Sequence, residues 1–135
     1  MSAAEKALAA LEAAGKAATE RPWTAHGRYI GTRFHKSYVG ECRDENGNWS
    51  DTAKSRGDSA LIVAAVNLSS PLAAVARAAM AVRKAEDASD RLTAVYAASL
   101  SGYAACQEAA RDVHAARKQM RAAIDALEAA AEGVL

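Results

Sequence analysis

The sequence predicts an α+β fold: an N-terminal helix, a small antiparallel β-meander, then a proline-punctuated helix and a long C-terminal helix. Three observations lead there. Five of the seven aromatic residues (Trp23, Tyr29, Phe34, Tyr38, Trp49) fall between positions 23 and 49. Five of the eight glycines fall between 27 and 57. The flanks on either side are alanine-rich, with apolar residues at helical spacing. A chain of 135 residues is the length of one ordinary domain, so the expectation is a single domain over 1–135. Its parts are a helix at 2–20, a meander at 22–54 and a helical part at 58–132.

The first segment, SAAEKALAALEAAGKAATE, carries Leu8 and Leu11 among alanines on one narrow stripe. Glu12 and Lys16 form a favourable i,i+4 pair. Alanine favours helix but buries little area, and Gly15 weakens the middle. Such a helix is marginal alone and is expected to pack on the helical tail or to fray; Pro22 ends it. In the meander, RYIGTRF and SYVGEC are β-branched and aromatic runs separated at His35–Lys36. A short strand at Trp23–Ala25 precedes them. The Asn46–Gly47 turn then either leads a last short strand through Trp49 or ends the sheet. Gly31 and Gly40 lie inside strand runs, where glycine marks a bulge or a close approach. So few strands need helices over one face.

In the helical part, Leu61, Ala65, Leu68, Leu72, Val75, Ala79 and Val82 step by alternating fours and threes. Asp58 or Ser59 is the expected N-cap. Ser70–Pro71 reads as a second N-cap followed by a first-turn proline. This predicts a short helix at about 58–68, a break at Ser69–Pro71, and a second helix to about Ala85. The last helix is expected from Ser89, with a stripe running from Leu92 through Tyr96, Tyr103, Cys106, Val113, Arg117, Met120 and Ile124 to Leu127. A rod of about forty residues would be ~60 Å long, against a radius of gyration of ~14 Å for a compact domain of this size. Either Gly102 breaks the rod or part of it packs against another subunit. The reading favours a homo-oligomer, with Tyr96, Tyr103, Val113 and Met120 at its interface.

Composition narrows the function. Seventeen basic residues stand against sixteen acidic ones, which leaves no global field to draw nucleic acid or a membrane. Cys42 and Cys106 fit no zinc or redox spacing and read as buried thiols of a reducing compartment. The first twenty residues lack the continuous apolar core of a signal peptide, and ALIVAAV at 60–66 is far short of the ~20 residues of a membrane span. The expectation is a cytoplasmic protein without a membrane partner. His26, His35 and His114 stand on different elements with no second ligand at metal spacing. No nucleophile elbow, phosphate loop or carboxylate pair occurs, so no metal, cofactor or catalysis is expected. Glu86, Asp87 and Asp90 read as a solvated junction between helices.

Charge is uneven in one place. Residues 21–56 carry seven basic side chains (Arg21, Arg28, Arg33, Lys36, Arg43, Lys54, Arg56) against four acidic ones. Arginine interleaved with aromatic rings suits phosphorylated aromatic ligands, the guanidinium forking a phosphate while a ring stacks on the base. Arg56–Gly57–Asp58 sits where the chain is expected to enter a helix, whose free amides favour an anion.

The order of Pro22–Trp23, Val39–Gly40–Glu41–Cys42, the stretch Gly57–Asp58–Ser59–Ala60–Leu61–Ile62–Val63–Ala64–Ala65 and Pro71–Leu72 resembles that of small phage and prophage proteins. The characterised group it most resembles is the type 1 Thoeris anti-defence family, over about residues 21–75. That resemblance implies a non-enzymatic, homo-oligomeric sponge in the host cytoplasm that sequesters cyclic ADP-ribose-type signals or cyclic oligonucleotides. It implies a pocket at the hairpin–helix junction, here Arg28, Trp49, Arg56 and Asp58, with Asn67 and Arg77 beside them. Asp58 departs from the family's asparagine, so it must pair with Arg56 or the ligand differs. The alternative function is a structural module that homo-oligomerises through its long helix.

Overall fold

The computed structural model describes residues 2–18, 22–32, 38–96 and 102–133. It has an N-terminal helix, a three-stranded antiparallel sheet and two long helices. The α+β class and the order of elements are those expected from the sequence; the helix boundaries are not. The chain divides into two compact units, one reaching to Ser70 and the other spanning Pro71–Gly133.

Helix α1 spans Ala3–Ala17. Its start is a reciprocal cap: the Glu5 N–H donates to Ser2 Oγ (3.2 Å) and the Ser2 N–H donates to Glu5 Oε2 (2.6 Å). Leu8 is buried. The strands are β1 (Trp23–His26), β2 (Tyr29–Thr32) and β3 (Tyr38–Glu41), in the order β1-β2-β3. A two-residue turn joins β1 to β2, and its first residue, Gly27, has φ +61°, a region that costs other residues about 1–2 kcal/mol. The pairing of β2 with β3 shifts register between Ile30 and Gly31, so Gly31 does mark an irregularity. Gly40 pairs with Ile30, and a Cβ there would meet nothing. The expected turn at His35–Lys36 lies outside the described residues.

The sheet ends at Glu41; Trp49 belongs to a loop, not to a fourth strand. Asp44, buried, organises this loop. Its Oδ1 accepts the N–H groups of Asn46 (2.9 Å) and Asn48 (2.8 Å), and its Oδ2 accepts the Ser50 hydroxyl. The Asp44 N–H donates to the Asn48 carbonyl at 2.9 Å, and Gly47 turns the chain at φ +79°.

Helix α2 runs from Ala53 to Tyr96. It starts five residues before Asp58 and six before Ser59, the expected caps, because Thr52 and Ser55 cap it reciprocally. The Thr52 N–H donates to Ser55 Oγ (2.9 Å) and the Ser55 N–H to Thr52 Oγ1 (3.3 Å). Nor does it break at Ser69–Pro71: Pro71 lies inside the helix. Alanine-rich sequence on both sides lets the helix propagate across this defect, and a second nucleus would cost more. What changes at Ser70–Pro71 is the compact unit. The expected start at Ser89 is likewise absent, since residues 72–101 contain neither glycine nor proline.

The face of α2 that meets the sheet was not foreseen. Leu61 is 69 % exposed and Leu72 49 %, while Val82 on the same stripe is buried, so the stripe that begins at Leu61 is not the seam against the sheet. Positions 55, 59, 63 and 67, four apart on one face, hold the sheet and loop instead. Ser55 Oγ donates to the Ser50 carbonyl (2.8 Å) and Ser59 Oγ to the Gly27 carbonyl (2.5 Å). Val63 joins Ile30 and Cys42 in a small core, with Trp23, Ala25 and Val39 against it. The Asn67 carboxamide takes both polar groups of Trp23: the Trp23 N–H donates to Oδ1, and Nδ2 donates to the Trp23 carbonyl, each at 2.9 Å.

Because it does not break, α2 is long and apolar enough to cross a membrane by length and composition, a test that core helices of soluble proteins also pass. In the second unit, α3 (Tyr103–Glu132) follows Gly102. The expected rod is interrupted between Tyr96 and Tyr103, and residues 97–101 lie outside the described residues. A salt bridge from Arg117 to Glu86 (Nη2–Oε1 2.6 Å) ties α3 to α2, so Glu86 lies in mid-helix and not at a junction.

Candidate functional site

The first unit brings one group of charged and aromatic side chains together, at the loop Cys42–Thr52 and the opening turns of α2. The Arg43 guanidinium lies 4.3 Å from the centroid of the Trp49 ring. The Asn46–Gly47 turn folds the loop back so that the two meet, and Arg43 Nη1 donates to the Gly47 carbonyl at 3.2 Å. Beside them is a concavity of about 390 Å³ lined by Cys42, Arg43, Asp44, Lys54, Asp58, Leu61 and Ile62.

The formal charges of this lining cancel, but they are not equally free. Lys54 Nζ is 2.5 Å from Asp58 Oδ2. That hydrogen bond and charge raise the Lys54 pKa above the usual lysine range. Asp44 spends its carboxylate on the loop, and the Ser50 hydroxyl first, then the Asn48 amide, hold its pKa below the usual range. Arg43 makes no ion pair among the described residues. It is therefore the cation with capacity left for an anion, on a ring half exposed for stacking.

The residues expected in the pocket are scattered by comparison. Asp58 lines the concavity and Trp49 stands next to it through Arg43. Asp58 pairs with Lys54, not with Arg56. Arg28 is taken up by the sheet: its Nε is 3.0 Å from Glu41 Oε2, and its Nη2 donates to the Tyr29 hydroxyl at 2.6 Å. The Glu41 hydrogen bond raises the Arg28 pKa. Arg56 Nη1 lies 3.6 Å from Asp51 Oδ2 and donates to the Asp51 carbonyl. Since α2 has already begun at Ala53, the Arg56 N–H bonds Thr52 O and Gly57 does not open a helix. Asn67 is bound to Trp23, and Arg77 belongs to the second unit. Of the residues expected at an oligomer interface, Tyr103 is 64 % exposed and receives a hydrogen bond from Gln107 (2.8 Å). Tyr96 is exposed, and Val113 and Met120 are half-buried.

Arg43 and Lys54 were counted among the basic residues but not singled out. The signal for Arg43 was present: it and Trp49 flank an Asn-Gly turn, which brings such neighbours face to face. Lys54 was hidden by the misplaced helix start. No group of three or more metal-binding side chains occurs among the described residues, and Cys42 and Cys106 are free thiols. Comparison with protein-family models, with curated proteins and with solved structures found no match.

Proposed function

We propose that this protein is a non-enzymatic binding protein that captures a small phosphorylated nucleotide and releases it unaltered, in the manner of a phage anti-defence sponge. The observation that carries this reading is Arg43 stacked on Trp49 at the rim of the concavity. A guanidinium with no carboxylate partner among the described residues is offered to a phosphate, an exposed indole to a base, and Leu61 and Ile62 supply an apolar wall. The nearby carboxylates are compensated, Asp58 by Lys54 and Asp44 by its loop.

Isothermal titration against cyclic ADP-ribose isomers and cyclic di- and trinucleotides tests it. Binding below about 10 µM, roughly 7 kcal/mol, is expected for one of them, with recovery of the ligand intact after the complex is denatured. Silence across the panel ends the sponge reading.

A second reading, a homo-oligomerising interaction module, has its own observation. Val95, near the end of α2, is 73 % exposed and Tyr103, at the start of α3, 64 %, apolar surface that a partner copy would cover.

A further inference from the structure

The first unit contains a second concavity, an open cleft between α1 and the middle of α2, of about 340 Å³. Leu11, Ala14, Gly15 and Ala18 line it from α1 and its end, Trp23 from β1, and Ala65, Val66 and Ser69 from α2. It shares no residue with the Arg43 concavity.

Its chemistry is of one kind. Among the described residues no charged side chain lines it, and its walls there are aliphatic apart from one indole and one hydroxyl. The one hydroxyl, on Ser69, donates to the Val66 carbonyl of its own helix at 2.7 Å. The size has a plain cause: four alanine or glycine positions on facing helices leave a gap where larger side chains would interlock. Apolar cavities of about 150 Å³ already admit benzene, and small-molecule pockets begin at about 300 Å³.

We propose that this cavity is a binding site for a small uncharged apolar molecule, hydrocarbon-like or aromatic, seated against Trp23. Such a ligand makes dispersion contacts with the alanine walls and asks for no hydrogen bond, which is what the lining offers. It also fastens α1, a helix of fifteen residues, to α2.

The neutral fluorophore N-phenyl-1-naphthylamine is the probe, titrated into the full chain. Its emission is expected to rise and shift to the blue in a saturable way. In the Trp49→Phe variant, where Trp23 is the sole indole, Trp23 emission is expected to fall as energy passes to the bound probe. Ala65→Leu, which fills the cavity, is expected to weaken binding at least tenfold, while Arg43→Ala leaves it within twofold. Absence of saturable binding overturns the proposal, as does unchanged affinity in a folded Ala65→Leu protein. Should that variant not fold, the Trp23 measurement decides: probe binding without loss of Trp23 emission places the probe elsewhere and overturns the proposal.

Discussion

Asn67 illustrates how a residue's role depends on what the fold sets opposite it. In sequence it enters only beside the pocket that the family resemblance implies. In the structure its carboxamide caps both backbone groups of Trp23, the way a neighbouring strand would. Asn67→Ala leaves two part-buried groups without that partner and is expected to cost about 1–3 kcal/mol, read by urea unfolding; a loss under a few tenths would mean water replaces the amide freely. Asp44 gives a pH prediction. Its folded pKa lies below its unfolded value of about 3.9, so the ionised form favours the folded state. That stabilisation is present above the unfolded value and fades as pH falls through the folded one. Acid titration followed by Trp49 fluorescence in a Trp23→Phe background is expected to show the loop opening below about pH 4, and Asp44→Ala to abolish that step. Arg28 and Arg56 were legible as cations but not as spent ones, because Glu41 and Asp51 come beside them only through sheet pairing and loop closure.

At the scale of elements, strands were more legible than helix ends. Trp23–His26, Tyr29–Thr32 and Tyr38–Glu41 fall inside or within a residue of the runs that composition marks, because β-branched and aromatic residues flanked by turn formers have few other conformations to choose. Helix boundaries depend on cooperative propagation, which local punctuation does not decide. Pro71 is the instructive case. It removes an N–H from the helix and crowds the carbonyl four residues back, an interior cost of about 3 kcal/mol, yet α2 continues through it. Pro71→Ala is therefore expected to stabilise the protein by about 1–3 kcal/mol, seen as a higher Tm; a lower Tm would mean that the ring packs where alanine does not. Gly102 has the opposite character. A Cβ at this position would lie 2.2 Å from Tyr96 Cβ, far inside van der Waals contact. Gly102→Ala should lower the Tm and loosen the α2–α3 connection, and an unchanged melt would refute this.

At the scale of the whole molecule, the net charge of +1 leaves recognition to local features, and two are candidates. If nucleotide capture and self-association are separate properties, Arg43→Ala abolishes binding while leaving the mass by light scattering unchanged. Tyr103→Lys then lowers the mass and leaves Arg43-dependent binding in place. If one variant removes both, the nucleotide site is built across copies. Since the helices end and start at Tyr96 and Tyr103, the rod-length argument for a partner subunit no longer applies; what argues for self-association is the exposure of Val95 and Tyr103.

From the sequence alone came the α+β class, the order of elements and the position of the meander, because these follow from spacing and side-chain type along the chain. Tertiary structure decided which face of α2 is covered, which arginines are already paired, and where small side chains leave a cavity. Those are outcomes of residues far apart in sequence competing for the same partners, and no local pattern records who wins.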